Sequence, residues 1–230
     1  MNKLISFALS TAVASLVTGC GDNAEPKPDD NEEAIPFPMT CDDVKNGLAL
    51  PDGTYTLYAY GEEERPWTAF CHENREYLSV EPSKNFGEYE VGGNAVGTTV
   101  RTQYSRLRID PRTFKVDITD QTFATSTGDL MVYGTEHVTS MPLGIAMSCA
   151  GQWTSYGHAR IDLIGTAFAI DSAWRVSGYL ADGSDTLDND GQTIGLNAAG
   201  ECGWNAPAQM STIPTSLTDS WVLQLRYRKP

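Results

Sequence analysis

Positive charge is scarce in this chain. Its 230 residues carry 16 lysines and arginines against 30 aspartates and glutamates, and only three histidines, for a net charge of -14. Phosphate binding needs a basic surface, so nucleic acid is not an expected partner. Excess acid favours solubility and is silent on fold. The familiar catalytic strings are missing as well. A zincin needs His-Glu-x-x-His, two imidazoles one helical turn apart with the Glu as base. His72-Glu73 opens that string, but Glu76 stands where the second His belongs, and His137 and His158 lie far apart in the chain. There is no Gly-x-Ser-x-Gly elbow, no P-loop and no Gly-x-Gly-x-x-Gly. No two cysteines stand in the close Cys-x-x-Cys spacing of a zinc site.

No apolar run is long enough to cross a bilayer comfortably. Leu4 to Val17 is apolar or small and follows the positive start Asn2-Lys3, which is the pattern of a signal h-region. It runs into Leu16-Val17-Thr18-Gly19-Cys20, which resembles the bacterial lipobox. That resemblance implies a signal peptide over 1–19 and a lipidated Cys20 as the new N-terminus, with several acyl chains giving stable anchoring. The alternative is an ordinary signal peptide with a chance cysteine. Gly21 follows Cys20, where an Asp would resemble an inner-membrane retention signal, so the expected address is the outer membrane or cell surface. Residues 20–39 are acidic and proline-rich, too poor in core residues to order themselves, and read as a tether with a reach of about 25 Å.

Residues 40–230, about 190 in number, suit one domain with a real core. Setting Cys20 aside, Cys41, Cys71, Cys149 and Cys202 form an even set in an exported chain, the signature of two disulfides. Four cysteines allow three connectivities. The expected one is Cys41–Cys71 and Cys149–Cys202, because each pair brackets one block of strands. Each bridge contributes roughly 3–4 kcal/mol in the loop-closure model.

Thr40 to Cys71 reads as a capped helix, a turn and a β-hairpin. Thr40 and Asp43 have capping-box spacing, Asp42 and Asp43 suit the helix dipole, and Gly47 and Pro51 stop the helix. Pro51-Asp52-Gly53 is a turn, Thr54 to Tyr60 a strand, and Trp67 to Cys71 its return. Further strands are expected at Glu76–Val80, Asn85–Tyr89, Leu107–Ile109, Phe114–Ile118, Met131–Gly134, Ile145–Cys149, Arg160–Gly165, Phe168–Ile170 and Trp221–Arg228. Gly92, Gly93 and Gly97 mark a loop, and Thr125-Ser126-Thr127-Gly128 a turn. The fold class expected is mainly β: antiparallel sheets, sandwich-like or mixed, with one short N-terminal helix.

Several residue sets invite chemistry. Arg101, Arg106, Arg108 and Arg112 read either as an anion site or as a solvated strand face paired across to acids. Asp188, Asp190 and Gly191 match part of a calcium loop, with Asp185 just before it as a further candidate ligand, but Thr186 fills the first position and Asn197 stands where the bidentate Glu is needed. A hydrophilic turn over Asp182–Gly191 is the alternative. Trp67, Trp153, Trp204 and Trp221 form either a sugar platform or core.

One family pattern runs through the domain. Cys-x-x-Val-Lys at Cys41 to Lys45, Asp-Gly-x-Tyr-Thr-Leu-Tyr at Asp52 to Tyr58, and Cys71 closing the next strand resemble the opening of the GON domain, the C-terminal module of some ADAMTS-type secreted metalloproteases. The opening is also similar to that of fibrinogen-like domains. Tyr104 to Asp110, Ile118 to Ala124, Ile161 to Thr166, Trp174 and Gly200-Glu201-Cys202-Gly203 resemble later GON motifs, in order. The animal family carries further cysteines after Gly93 and after Gly203; this chain carries none there. The resemblance brings metalloendopeptidase activity and zinc only by family association. The reading is therefore a non-catalytic, lipid-anchored binding or adhesion module, taking an extracellular protein or polysaccharide. The alternative is an ancillary or catalytic part of a secreted hydrolase.

Overall fold

In the computed structural model the described residues are 36–44, 51–151, 155–208 and 222–228. Cys20, the leader, the tether up to residue 35, Lys45, Gly47, Trp153 and Trp221 lie outside them. The described residues belong to one compact unit, Ala34–Pro230.

The chain is mainly β, in antiparallel sheets, with one short helix and two disulfides. The helix, α1, is described over Cys41–Val44. Its start is a reciprocal capping box: Asp43 N–H donates to Thr40 Oγ1 at 3.1 Å, and Thr40 N–H donates to Asp43 Oδ2 at 2.9 Å. Phe37 to Met39, expected in the tether, are already engaged with the domain. Phe37 stacks edge-on to Tyr58 at 5.2 Å, and Pro38 accepts the Tyr58 N–H at 2.8 Å.

Among the described residues there are fifteen strands. They are β1 (Gly53–Tyr58), β2 (Pro66–His72), β3 (Arg75–Ser79), β4 (Phe86–Glu90), β5 (Ala95–Tyr104), β6 (Arg106–Ile109), β7 (Lys115–Val116) and β8 (Ala124–Val132). There follow β9 (Glu136–Val138), β10 (Ala146–Ser148), β11 (Gly157–Asp162), β12 (Phe168–Ile170), β13 (Trp174–Asp188), β14 (Thr193–Pro207) and β15 (Leu223–Tyr227). One sheet has the order β1-β2-β3-β6-β7-β15-β12. The other runs β10-β14-β11-β4-β5-β8-β9, with β13 on β14. All their named pairings are antiparallel except β10 with β4.

The chain passes repeatedly between the sheets, and both feed one core. Leu57, Leu107 and Ile109 from the first join Val100, Leu130 and Ile161 from the second, all at most 2% exposed. Each such side chain contributes roughly 1.5–3 kcal/mol by leaving water. In β6, buried Leu107 and Ile109 alternate with half-exposed Arg106 and Arg108, as the sequence pattern required. Cross-ties fix the layers. Tyr104 Oη donates to the Met141 carbonyl at 2.7 Å, and burial, foremost, pushes that phenol well above its ordinary pKa.

Three expected breaks are strand instead. Thr125–Gly128 lies inside β8, paired to β5, with Thr102 and Ser126 hydroxyls 2.8 Å apart. Gly128 (φ 88) marks a bulge, where the register shifts and any Cβ would collide with the Thr99 carbonyl. Gly97 lies within β5 (φ 135). The run expected as a hydrophilic turn, Asp182–Gly191, is strand to Asp188; only Asn189–Gly191 turns. Pairing along β14 overrides the weak β-propensity of its aspartates and glycine.

Candidate functional site

Two hairpin ends of the first sheet and the cap of α1 frame a cleft of about 650 Å³. The β2–β3 connection has two residues, Glu73 and Asn74, with His72 facing Arg75. Both sit at positive φ, 48° and 64°, the backbone of a type I′ turn, which twists as the strands do. Asp52 clasps this turn. Its Oδ1 accepts the Glu73 N–H at 3.3 Å, and its Oδ2 lies 2.5 Å from His72 Nδ1. The His72 hydrogen bond is the main reason the Asp52 carboxyl is held below its ordinary range.

The second end is the β6–β7 turn, Asp110-Pro111-Arg112-Thr113-Phe114. Asp110 accepts from the Arg112 N–H at 2.9 Å and the Thr113 hydroxyl at 2.8 Å. Burial pushes its carboxyl up, but these bonds and the Arg112 charge outweigh that and hold it low. Phe114 takes φ 56°, a conformation that favours glycine. Its ring compensates: it is 3% exposed, edge-on to Tyr60 at 5.1 Å and to Phe168 at 5.3 Å.

Four cations line the cleft: Arg75 from the first hairpin, Arg108 from the β6 wall, Arg112 and Lys115 from the second hairpin. Arg108 is committed, 3.3 Å from Asp117 and 3.5 Å from Asp120. Arg75, Arg112 and Lys115 are exposed, and among the described residues none has a carboxylate at ion-pair distance. Carboxylates line the cleft too. Glu76 is buried at its base and accepts the Cys41 N–H at 2.7 Å. Burial, helped by the charges of Asp42 and Asp110, raises its pKa despite that bond.

The arginine run of the sequence is thus divided. Arg101 pairs with Glu88 at 3.0 Å and lies 3.4 Å above the Phe86 ring. Arg106 stacks on Phe70 at 3.7 Å and on Phe123 at 4.6 Å. Only Arg108 and Arg112 reach the cleft. The face-paired-to-acids reading describes Arg101 and Arg108; Arg112 lines the cleft with Arg75 and Lys115. Those last two carry no signal in the sequence; strand pairing, β3 with β6 and β6 with β7, brings them there.

The remaining candidates disperse. His72 serves Asp52, His137 lies 3.1 Å from Asp129, and His158 is exposed opposite Asn197. Among the described residues no three His, Cys, Asp or Glu side chains are placed to hold a metal ion. Asp185 and Asp188 ride on β13, and Asp190, in the turn beyond, lies 3.4 Å from Arg228; they do not assemble a calcium cage. Trp67 is 4% exposed and edge-on to Phe168, a core residue and no platform; Trp204 is half-buried. The sulfurs pair as expected: Cys41–Cys71 at 2.01 Å and Cys149–Cys202 at 1.84 Å. Comparison with protein-family models, with curated proteins and with solved structures finds no match to this chain.

Proposed function

We propose that the chain is an exported, lipid-anchored binding module of GON type, held at the cell envelope through Cys20. It takes its ligand in the cleft between the two hairpin ends and releases it unchanged. The observation that carries this reading is the set of three cations, Arg75, Arg112 and Lys115, that have no ion-pair partner among the described residues and line one cleft of a sheet stapled by Cys41–Cys71. Such cations are available to an oxyanion on a ligand. The lipobox and the disulfides support an address outside the cytoplasm.

Labelled palmitate tests the anchor. The full chain should incorporate it and sediment with membranes, and Cys20→Ala should lose both. A Cys20→Ala chain that still carries the label and sediments with membranes removes the anchor. A second reading, a hydrolase of extracellular polymer, has one observation behind it: Glu76, a buried carboxyl of raised pKa, lines the cleft. Binding requires that a polymer eluted from the full chain keep its length. Shortening that disappears in Glu76→Gln would establish the hydrolase instead.

A further inference from the structure

Resting on that reading of the cleft, we infer that its ligand is an acidic saccharide, a sugar chain bearing carboxylate or sulfate groups. Two kinds of polar group, cations and hydrogen-bond acceptors, share the cleft. Arg75 approaches from one hairpin, Arg112 and Lys115 from the other. Guanidinium forks match planar or tetrahedral oxyanions, and cations on two separate turns fit repeated charges along a chain better than one compact ion.

The same cleft carries acceptors for hydroxyl donors. Asn74, Glu76, Asp117 and Thr119 all line the same cleft. Asp117 still has acceptor capacity beyond Arg108 and the Thr119 N–H and hydroxyl, since a carboxylate offers about four lone-pair sites. A ligand carrying oxyanions alone would be repelled by these carboxylates. A neutral sugar would leave three cations unanswered. A ligand with both oxyanions and hydroxyls satisfies the set.

The lining also argues against a peptide. Of its apolar members, Ile109, Val116 and Ile118 are at most 3% exposed, Pro111 is buried and Val222 is half-buried, so the lining offers little area to an aromatic or aliphatic anchor. The volume, about 650 Å³, lies in the ordinary range for small-ligand sites.

Calorimetric titration of the full chain in detergent tests this, with trigalacturonate, a sulfated trisaccharide and uncharged maltotriose as probes. At least one acidic trisaccharide should bind at least tenfold more tightly than maltotriose, and the one preferred names the anion. The triple variant R75Q/R112Q/K115Q should weaken that binding at least tenfold and flatten its salt dependence. These side chains are exposed and make no ion pair among the described residues, so the variant should fold, as circular dichroism will verify. Undiminished affinity in the folded variant, equal affinity for maltotriose, or no binding of either acidic probe overturns the inference. The Cys20 anchor and intact-polymer assays are independent of all three outcomes, so the broader reading stands or falls separately.

Discussion

The two disulfides hold down different kinds of β structure. Cys41–Cys71 ties the α1 cap to the β2–β3 hairpin, and both cysteines are at most 2% exposed. Around it the backbone follows side-chain chemistry: a capping box, a two-residue turn, clean alternation in β2 and β6. Cys149–Cys202 sits beside the β13–β14 hairpin, where backbones nearly touch. Cys202 takes φ 67°, the register shifts twice between Ser177 and Asp182, and Tyr179 stands 68% exposed. Tyr89 Oη lies 2.8 Å from Cys149 Sγ, and burial, foremost, pushes that phenol up to about 12. In the first region side chains decide the path. In the second, the absence of side chains does: Gly178, Gly200 and Gly203 each lie where a Cβ would strike a carbonyl oxygen.

Removing each bridge by paired alanines sharpens this contrast and has the largest expected effect. Loop closure alone gives about 4 kcal/mol for each, slightly more for the longer loop. Cys41 and Cys71 are both core residues, so C41A/C71A should cost more than C149A/C202A in thermal unfolding, against the loop-length order. The reverse ranking would mean that chain entropy, not local packing, sets their worth.

Next in size is a pair of glycine substitutions on β14. Gly203→Ala places a methyl against the Ala199 carbonyl and should destabilise by about 2 kcal/mol. Gly195→Ala meets nothing within 4 Å and should be neutral or stabilise by about 0.5 kcal/mol. Denaturant midpoints will separate them, and equal shifts would refute the close-approach account of this hairpin.

In the first region, Thr40→Ala removes one half of the capping box and should cost about 1 kcal/mol. Thr40→Ser should restore most of it, with circular dichroism melts as the measure.

The smallest effect concerns Glu76. Its folded pKa is raised above 4.5, so the folded state holds the proton more tightly than the unfolded one. That contribution is fully present below the ordinary glutamate value and is lost as pH rises through the raised value. Glu76→Gln keeps an acceptor for the Cys41 N–H and removes this loss. The difference in melting temperature between variant and parent should therefore grow in the variant's favour across that window. A constant difference would show that the carboxyl is not desolvated.

This contrast also explains how much of the molecule could be read beforehand. The cap and strands such as Leu107–Ile109 were legible because capping and alternation are local signals, and both sulfur pairings because each pair of cysteines brackets one block of strands. The two longest strands, β13 and β14, were not, because glycines, alanines and aspartates carry little β-propensity and are held by each other's backbone. Of the cleft, Arg108 and Arg112 stood out in sequence. Arg75 and Lys115 join them only because strand pairing sets β3 beside β6 and β6 beside β7.

The most direct measurement of the cleft's role is an amide chemical-shift map of the full chain during titration with the acidic trisaccharide it binds. The account predicts that the largest shifts fall on Asn74, Arg75, Arg112 and Lys115, with β13 and β14 unmoved. Shifts centred on the β13–β14 hairpin, with the amides of the two turns unchanged, would contradict it.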